Sequence, residues 1–335
     1  MKRRSGLRIM GGLIRLLTPM LHIMLACITL GSLGYLCAIA ITVLAAHLLL
    51  SVDGVSPWTL SFGWTAAIMV ICGVARAGLR YSEQTCGHYI WSFLLAALGC
   101  GIVAVCFQLL PDGTLKTVLT IAFVILAVVF AEVTIWSVLM YRAFDYNGKR
   151  QMARQIIEGT AACVDLPEGG KVLDVGCGSG ALGIAVGKRN PKAEIIGIDR
   201  WGKEYASFSK ALCERNAKAE GVSHIAFQQG DATHLDFPDE TFDAVVSNYV
   251  YHNIPGDRQK YLLETLRTLK KGGTFALHDI FSKSRYGDMQ AFVKKLRDMG
   301  YQRVELIDTT DGKFMKKSEA AWMALSGSAL LTGRK

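Results

Sequence analysis

Residues 171–180 read Lys171-Val172-Leu173-Asp174-Val175-Gly176-Cys177-Gly178-Ser179-Gly180, and Ala181-Leu182-Gly183-Ile184-Ala185 follow. A short apolar run carries one acid, then three glycines at alternate positions, then helix formers. This order predicts a buried strand that ends in a tight turn and opens a helix. Gly176, Gly178 and Gly180 lack a Cβ, so the turn can take positive φ and a ligand can approach its backbone. A nucleotide-like cofactor is the usual occupant of such a turn.

Outward from this turn, from Asp145 to the end, the composition is that of an ordinary α/β domain. The pattern predicts strands at 171–175, 194–199, 225–228, 242–247 and 274–279. Helices are expected at 151–163, 181–189, 203–220, 257–269 and 285–299, and a late hairpin pairs 303–308 with 322–332. Alternation of this kind gives a mostly parallel sheet covered on both faces, with ligands at the carboxyl ends of its strands.

The turn alone leaves two cofactors open. Gly176-Cys177-Gly178-Ser179-Gly180-Ala181, with Asp199 about 20 residues on, also fits a dinucleotide fingerprint. Three features argue against that reading. Asp174 would repel a pyrophosphate but can bind the amino-acid end of a ligand. Gly230-Asp231-Ala232 follows the third strand, where an Asp can accept from an adenine amino group. Ser247-Asn248-Tyr249 closes the fourth strand at the same crevice.

Together these motifs resemble the class I S-adenosylmethionine-dependent methyltransferases, over about residues 153–335, and most closely the quinone and small-molecule C-methyltransferases. The resemblance implies a Rossmann-like, doubly wound seven-stranded sheet with S-adenosylmethionine as cofactor. It implies that Asp174 and the turn Gly176, Cys177, Gly178 and Gly180 hold the methionine part. Asp199 would bind the ribose, with Arg200 beside it and Trp201 flanking the adenine, and Asp231 and Ala232 would recognise adenine. Asn248 would edge the same site. Catalytic candidates follow the fourth strand: Tyr249 and His252 first, with Tyr251 between them, and His278 and Asp279 second. Histidine titrates near neutrality, which suits a general base. Asn248 does not open the Asn/Asp-Pro-Pro-Tyr motif of amino-group methylases.

The first 141 residues differ sharply. They carry most of the apolar excess behind the chain's 51% hydrophobic content and mean hydropathy of +0.29. Four stretches, within 17–50 and at 61–79, 90–110 and 117–140, are long enough to span a bilayer, which takes about 20 apolar residues. Lys2, Arg3, Arg4, Arg8 and Arg15 precede the first, Arg76 and Arg80 close the second, and Arg142, Lys149 and Arg150 follow the fourth. The other two loops carry one cation, Lys116. Cationic loops stay cytoplasmic, so the expectation is a multi-pass cell-membrane protein with both termini and the methyltransferase domain in the cytoplasm. Residues 142–152 read as the linker. Glu132, inside the fourth stretch, is costly there unless it meets protein or water.

Residues 5–50 and 75–90, with an Arg-x-x-x-Arg-Tyr-x-Glu core at 76–83, resemble the first two transmembrane helices of a bacterial ABC exporter permease of the cysteine/glutathione exporter type. No Gly-x-x-x-x-Gly-Lys-Ser/Thr occurs, so nothing cradles ATP phosphates. The fragment reads as a borrowed anchor. Two functions stand side by side: a membrane-anchored methyltransferase with a small or lipid-soluble acceptor, and a transporter-associated protein, paired with an ABC half-transporter, whose methyltransferase-like domain only binds a ligand. The net charge of +9 is scattered, so nucleic acid is not an expected partner. The nine cysteines include no Cys-x-x-Cys and no set with zinc spacing, so no metal is expected.

Overall fold

Residues 86–109, 112–202 and 208–335 are described by the computed structural model of the chain. The expected spans at 17–50 and 61–79 lie outside them. The backbone divides between Arg142 and Ala143 into two units.

In the first unit, α1 (Cys86–Cys106) and α2 (Thr114–Phe144) cover the third and fourth apolar stretches. Phe93 stacks on Phe130 with centroids 6.4 Å apart, and Phe107 meets Phe123 edge-on at 5.3 Å, so the two helices run antiparallel. Helix α2 has 31 residues, about 47 Å at 1.5 Å per residue. It is the one helix among the described residues long and apolar enough to cross a membrane. Ile121, Val124, Ile125, Val128, Val129 and Ile135 are exposed along it, and Glu132 is exposed among them.

The second unit, Ala143–Lys335, is the α/β domain. It opens with α3 (Met152–Ala161). A seven-stranded sheet follows in the order β3-β2-β1-β4-β5-β7-β6. Its strands are β1 (Lys171–Val175), β2 (Glu194–Asp199), β3 (Ile225–Gln229), β4 (Phe242–Asn248), β5 (Leu269–Ile280), β6 (Gln302–Asp308) and β7 (Ser328–Arg334). The first five are parallel, and β7 runs antiparallel between β5 and β6. Because β1 is followed outward on one side by β2 and on the other by β4, a crevice opens at the carboxyl ends of β1 and β4.

Strand β1 is buried at four of its five positions, as a central parallel strand of apolar and β-branched residues must be. Apolar side chains fill both faces. Phe242, Tyr251, Phe275 and Phe292 pack on one, and Val172, Leu182, Ile195 and Val246 on the other. The covering helices after β1 are α4 (Ala181–Arg189), α5 (Lys210–Ala219), α6 (Arg258–Arg267), α7 (Lys283–Tyr286), α8 (Met289–Asp298) and α9 (Lys317–Trp322).

Four boundaries differ from the sequence reading, each for a local reason. The helix expected at 203–220 is described from Lys210, where the Ser209 hydroxyl accepts from Leu212 N–H and caps it; 203–207 lie outside the described residues. The helix expected at 285–299 is broken by Gly287, with φ 71°, and restarts under an Asp288 cap. Residues 269–273, ahead of the strand expected at 274–279, belong to β5: Gly272 N–H donates to Lys335 C=O, and Lys335 N–H to Gly273 C=O. The return strand of the hairpin starts at Ser328, because Trp322 ends α9.

Candidate active site

The glycine turn joins β1 to α4. Gly176, Gly178 and Gly180 have φ of 68°, 57° and 80°, so all three sit where L side chains are strained. The space beside two of them is already taken by protein. A Cβ on Gly176 would lie 2.4 Å from a Val250 methyl, and one on Gly180 2.9 Å from the Phe227 ring. Their lack of a side chain therefore serves packing as much as ligand approach. Gly180 offers no side chain to cap α4. Asp174 supplies the acceptor instead: it is 1% exposed, and its Oδ2 accepts from Gly183 N–H at 2.9 Å, in the first turn of that helix.

Asp199, the last residue of β2, grips the turn from the next strand. Its Oδ2 accepts from Gly178 N–H at 2.8 Å and its Oδ1 from Trp201 N–H at 2.8 Å. Trp201, with φ 44°, reaches back so that its indole N–H donates to Gly178 C=O at 3.3 Å. Asp231 Oδ1 accepts from both the N–H and the hydroxyl of Thr233 at 2.8 Å. Burial pushes the Asp231 carboxyl up, but those bonds, with Arg200 and His234, outweigh it and hold it below the ordinary value. Ala232 follows, packed against the core. The Cys177 thiol is pushed well up by a hydrogen bond with Cys213 and by burial. It is a small packing residue and no nucleophile.

At the ends of β4 and β5 a second cluster forms. Asp279 is 1% exposed. Its Oδ1 faces His252 Nδ1 at 2.5 Å and accepts from Ile280 N–H at 2.7 Å. Its Oδ2 accepts from Tyr251 N–H at 2.8 Å and His252 N–H at 3.3 Å. Burial raises the Asp279 carboxyl, but the His252 imidazole and these donors prevail and lower it. An acceptor-only carboxylate against Nδ1 assigns the imidazole proton to Nδ1 and leaves the lone pair on Nε2. His252 and Asp279 thus form a carboxylate–imidazole dyad.

His278 is different. It is 1% exposed, and burial lowers its pKa to about 3, so it stays neutral. Its Nδ1 lies 2.8 Å from Asn248 Oδ1 and its Nε2 3.0 Å from the Thr309 hydroxyl. Both nitrogens are engaged within the protein, which corrects the expectation of a base here. Tyr251 is corrected too. Its ring is in the core, and its hydroxyl is bonded to Thr265. Tyr249 takes φ 56°, and its hydroxyl lies 2.8 Å from Ser328 Oγ, which in turn donates to Leu325 C=O at 2.7 Å. The phenol is pushed up by burial. Its ring lines the cluster edge-on to His278 at 4.7 Å and His252 at 6.0 Å.

Residues 166–321 match the family described as a methyltransferase domain. They are a methyltransferase domain. Over 113 residues the chain is 35% identical to the uncharacterized methyltransferase YcgJ of Bacillus subtilis, covering 33% of this chain and 41% of that protein. The crystal structure of YcgJ superposes with a TM-score of 0.41 at 19% identity, covering 54% of this chain and 98% of YcgJ. The demethylmenaquinone methyltransferase of Thermus thermophilus is 31% identical over 144 residues, 43% of this chain and 60% of that protein. The N-terminal part matches a "Probable ABC transporter ATP-binding/permease protein" of Haemophilus influenzae, 45% identical over 96 residues, 29% of this chain and 17% of that protein. The sequence matches thus span less than two thirds of the length of each of these curated relatives.

The site chemistry fits S-adenosylmethionine, the cofactor that the sequence resemblance implies. Asp199 spends one acceptor position per oxygen on the turn, and each carboxylate oxygen offers a further lone pair to a ribose hydroxyl. Asp231 follows the end of β3, and its carboxyl, held below the ordinary value, has the chemistry of an acceptor for an amino group. Sequence reading ranked Asp279 second and missed that it orients His252. It also missed Thr309 and Ser328, which close the wall behind His278 and Tyr249. They lie on either side of α9, and only the antiparallel return of β7 brings them to this edge.

Proposed function

We propose that the chain is a membrane-anchored methyltransferase that moves a methyl group from S-adenosylmethionine to a small or lipid-soluble acceptor. Bound S-adenosylmethionine supplies an activated methyl on a sulfonium. The glycine turn, held by Asp174 and Asp199, would seat the methionine and ribose, with Arg200 nearby. Asp231 and Ala232 would receive the adenine, and Asn248 would border the donor. The protein's remaining task is to align an acceptor and exclude water.

His252 Nε2 would take a proton from the acceptor as it attacks, while Asp279 would hold the ring and stabilise the imidazolium that forms. Tyr249 contributes its ring as a wall. The observation that carries this reading is the Asp199 carboxylate bridging Gly178 and Trp201 N–H groups, inside a matched methyltransferase domain. The test is binding of S-adenosylmethionine to the full chain and to Asp199→Ala. Micromolar binding that the variant loses supports the reading, and equal affinity in both refutes the site.

The lipid-soluble acceptor is favoured by two observations: the apolar surface of α2, and a relative named for demethylmenaquinone. On this reading residues 1–141 form a multi-pass anchor, 142–152 the linker and 153–335 the cytoplasmic methyltransferase domain. The exporter match favours a second reading, in which the N-terminal helices pair with an ABC half-transporter and the domain only senses a ligand. Stoichiometric co-purification with such a subunit, without methyl transfer, would select it.

A further inference from the structure

The linker contains one side chain with an unusually complete set of partners. Arg150 Nε donates to Glu319 Oε1 at 2.6 Å, and one terminal nitrogen donates to Glu319 Oε2 at 2.8 Å and to Phe314 C=O at 2.9 Å. The other terminal nitrogen donates to Gln155 Oε1 at 2.7 Å. A forked guanidinium on a carboxylate, with a third acceptor on one of the same nitrogens, fixes geometry in a way a point charge does not. The side chains of Arg150 and Glu319 are 30% and 25% exposed, so the pair is partly shielded from solvent. Gln151, the next residue, is held at φ 49°, a strained conformation that persists only where its surroundings impose it.

What the clamp holds is the acceptor-side wall. Phe314 is buried. On one side its ring fills the space beside Gly159 of α3, where a Cβ would lie 2.2 Å away. On the other it packs edge-on against His278, centroids 5.4 Å apart. His278 contacts Asn248 and Thr309. Phe314 N–H and Met315 N–H both donate to Thr309 C=O, and Thr309 N–H donates to Ser328 C=O. Ser328 Oγ holds the Tyr249 hydroxyl. A continuous set of packed and bonded groups therefore runs from Arg150 through Phe314 and His278 to Asn248 and Tyr249. The glycine turn, Asp199 and Asp231 lie at β1, β2 and β3, outside this set.

We propose that Arg150 is a positioning residue for methyl transfer: it locks the 309–319 segment against the linker so that Phe314 holds His278 and Tyr249 in register for the acceptor. Arg150 lies six residues beyond the end of α2, so the wall of the acceptor site is pinned by the linker that follows the apolar helix. This rests on the methyltransferase reading above, and the experiment separates the two.

Full-length Arg150→Ala, Arg150→Lys and the charge-exchanged Arg150→Glu with Glu319→Arg are compared with wild type in nanodiscs. Three quantities are read: the Kd for S-adenosylmethionine, the rate of labelled methyl transfer to a cell extract at saturating donor, and backbone hydrogen exchange at Phe314, Met315 and Tyr249. In Arg150→Ala the Kd stays within about twofold, transfer falls about tenfold or more, and exchange accelerates at all three amides. Lysine restores part of the rate, and the exchanged pair more. Wild-type transfer and wild-type exchange at Tyr249 in Arg150→Ala would overturn the proposal. So would equal loss of donor binding and transfer, which marks a merely structural role. If the wild type binds donor but transfers no label, the methyltransferase reading fails, and exchange at Tyr249 still decides whether the clamp reaches the site.

Discussion

The dyad of His252 and Asp279 is the feature whose removal has the most calculable effect. His252→Ala deletes a side chain only 12% exposed but makes no hole in the apolar core, since the ring borders the site. If Nε2 takes the acceptor proton in the rate-limiting step, its loss costs about 10²–10⁴ in rate, or about 3–5 kcal/mol of barrier. Asp279→Asn acts differently. The carboxylate accepts four hydrogen bonds, two on each oxygen. Replacing either oxygen by NH2 sets a donor against two N–H groups. Hydrogen bonds to a charged acceptor are worth about 1.5–3 kcal/mol each, so two lost bonds cost about 3–6 kcal/mol. That is a large part of a domain's typical ~5–15 kcal/mol. The alanine variant should therefore keep its donor affinity, lose rate, and melt below wild type only by the one bond it withdraws from Asp279. The asparagine variant should lose rate and also melt well below wild type. The assay is initial-rate transfer of labelled methyl at saturating donor, with calorimetry for the Kd and the melt. Transfer within about threefold of wild type in both variants, with donor binding intact, refutes the base assignment.

Other expectations follow from single contacts. Asp199→Ala frees the Gly178 and Trp201 amides and should weaken donor binding about 100-fold or more by titration calorimetry, with secondary structure unchanged by circular dichroism. Gly176→Ala meets Val250 at 2.4 Å in a conformation costing an L residue about 1–2 kcal/mol. Its urea midpoint should fall, and Val250→Ala in the same chain should recover the steric part, leaving the conformational part. His278 has a folded pKa lowered to about 3 by burial, against an ordinary 6.5. The unfolded chain takes up this proton as pH falls below about 6.5, and the folded one does not until about 3. Stability should therefore decline by about 1.4 kcal/mol per pH unit through that window. In His278→Asn this component of the slope should vanish in urea titrations between pH 6.5 and 4.

The stretch 171–199 was legible because each local choice agrees with the next. An apolar run forced a buried strand, glycines at alternate positions forced the turn, and Asp199 ended the next strand beside it. Strand β4 and its polar end were legible for the same reason. The role of Asp174 was read as ligand contact, whereas the structure gives its carboxylate a helix N–H. The sequence held no sign of this, because Gly180 as the N-cap residue looks sufficient until its missing acceptor is noticed. Tyr249, Tyr251 and His252 looked equivalent as neighbours. A short 3-10 turn over Tyr251–Asn253 sends Tyr251 into the core and His252 to the site edge, a distinction that periodicity over three residues cannot carry. Thr309, Phe314, Ser328 and Arg150 come together only through the antiparallel β7 and the linker. Pairings between residues 150 and 319, or 249 and 328, leave no local pattern. The helix over 285–299 failed at Gly287, where positive φ outweighed a strong amphipathic period.

The measurement closest to the central claim is methyl transfer from labelled S-adenosylmethionine by the full-length protein, supplied with membranes and with cytosolic extract, and the products partitioned between organic and aqueous phases. Asp199→Ala serves as the control. The account predicts label in the organic phase, abolished in the variant. No label in either phase from a protein that binds the donor tightly would contradict it.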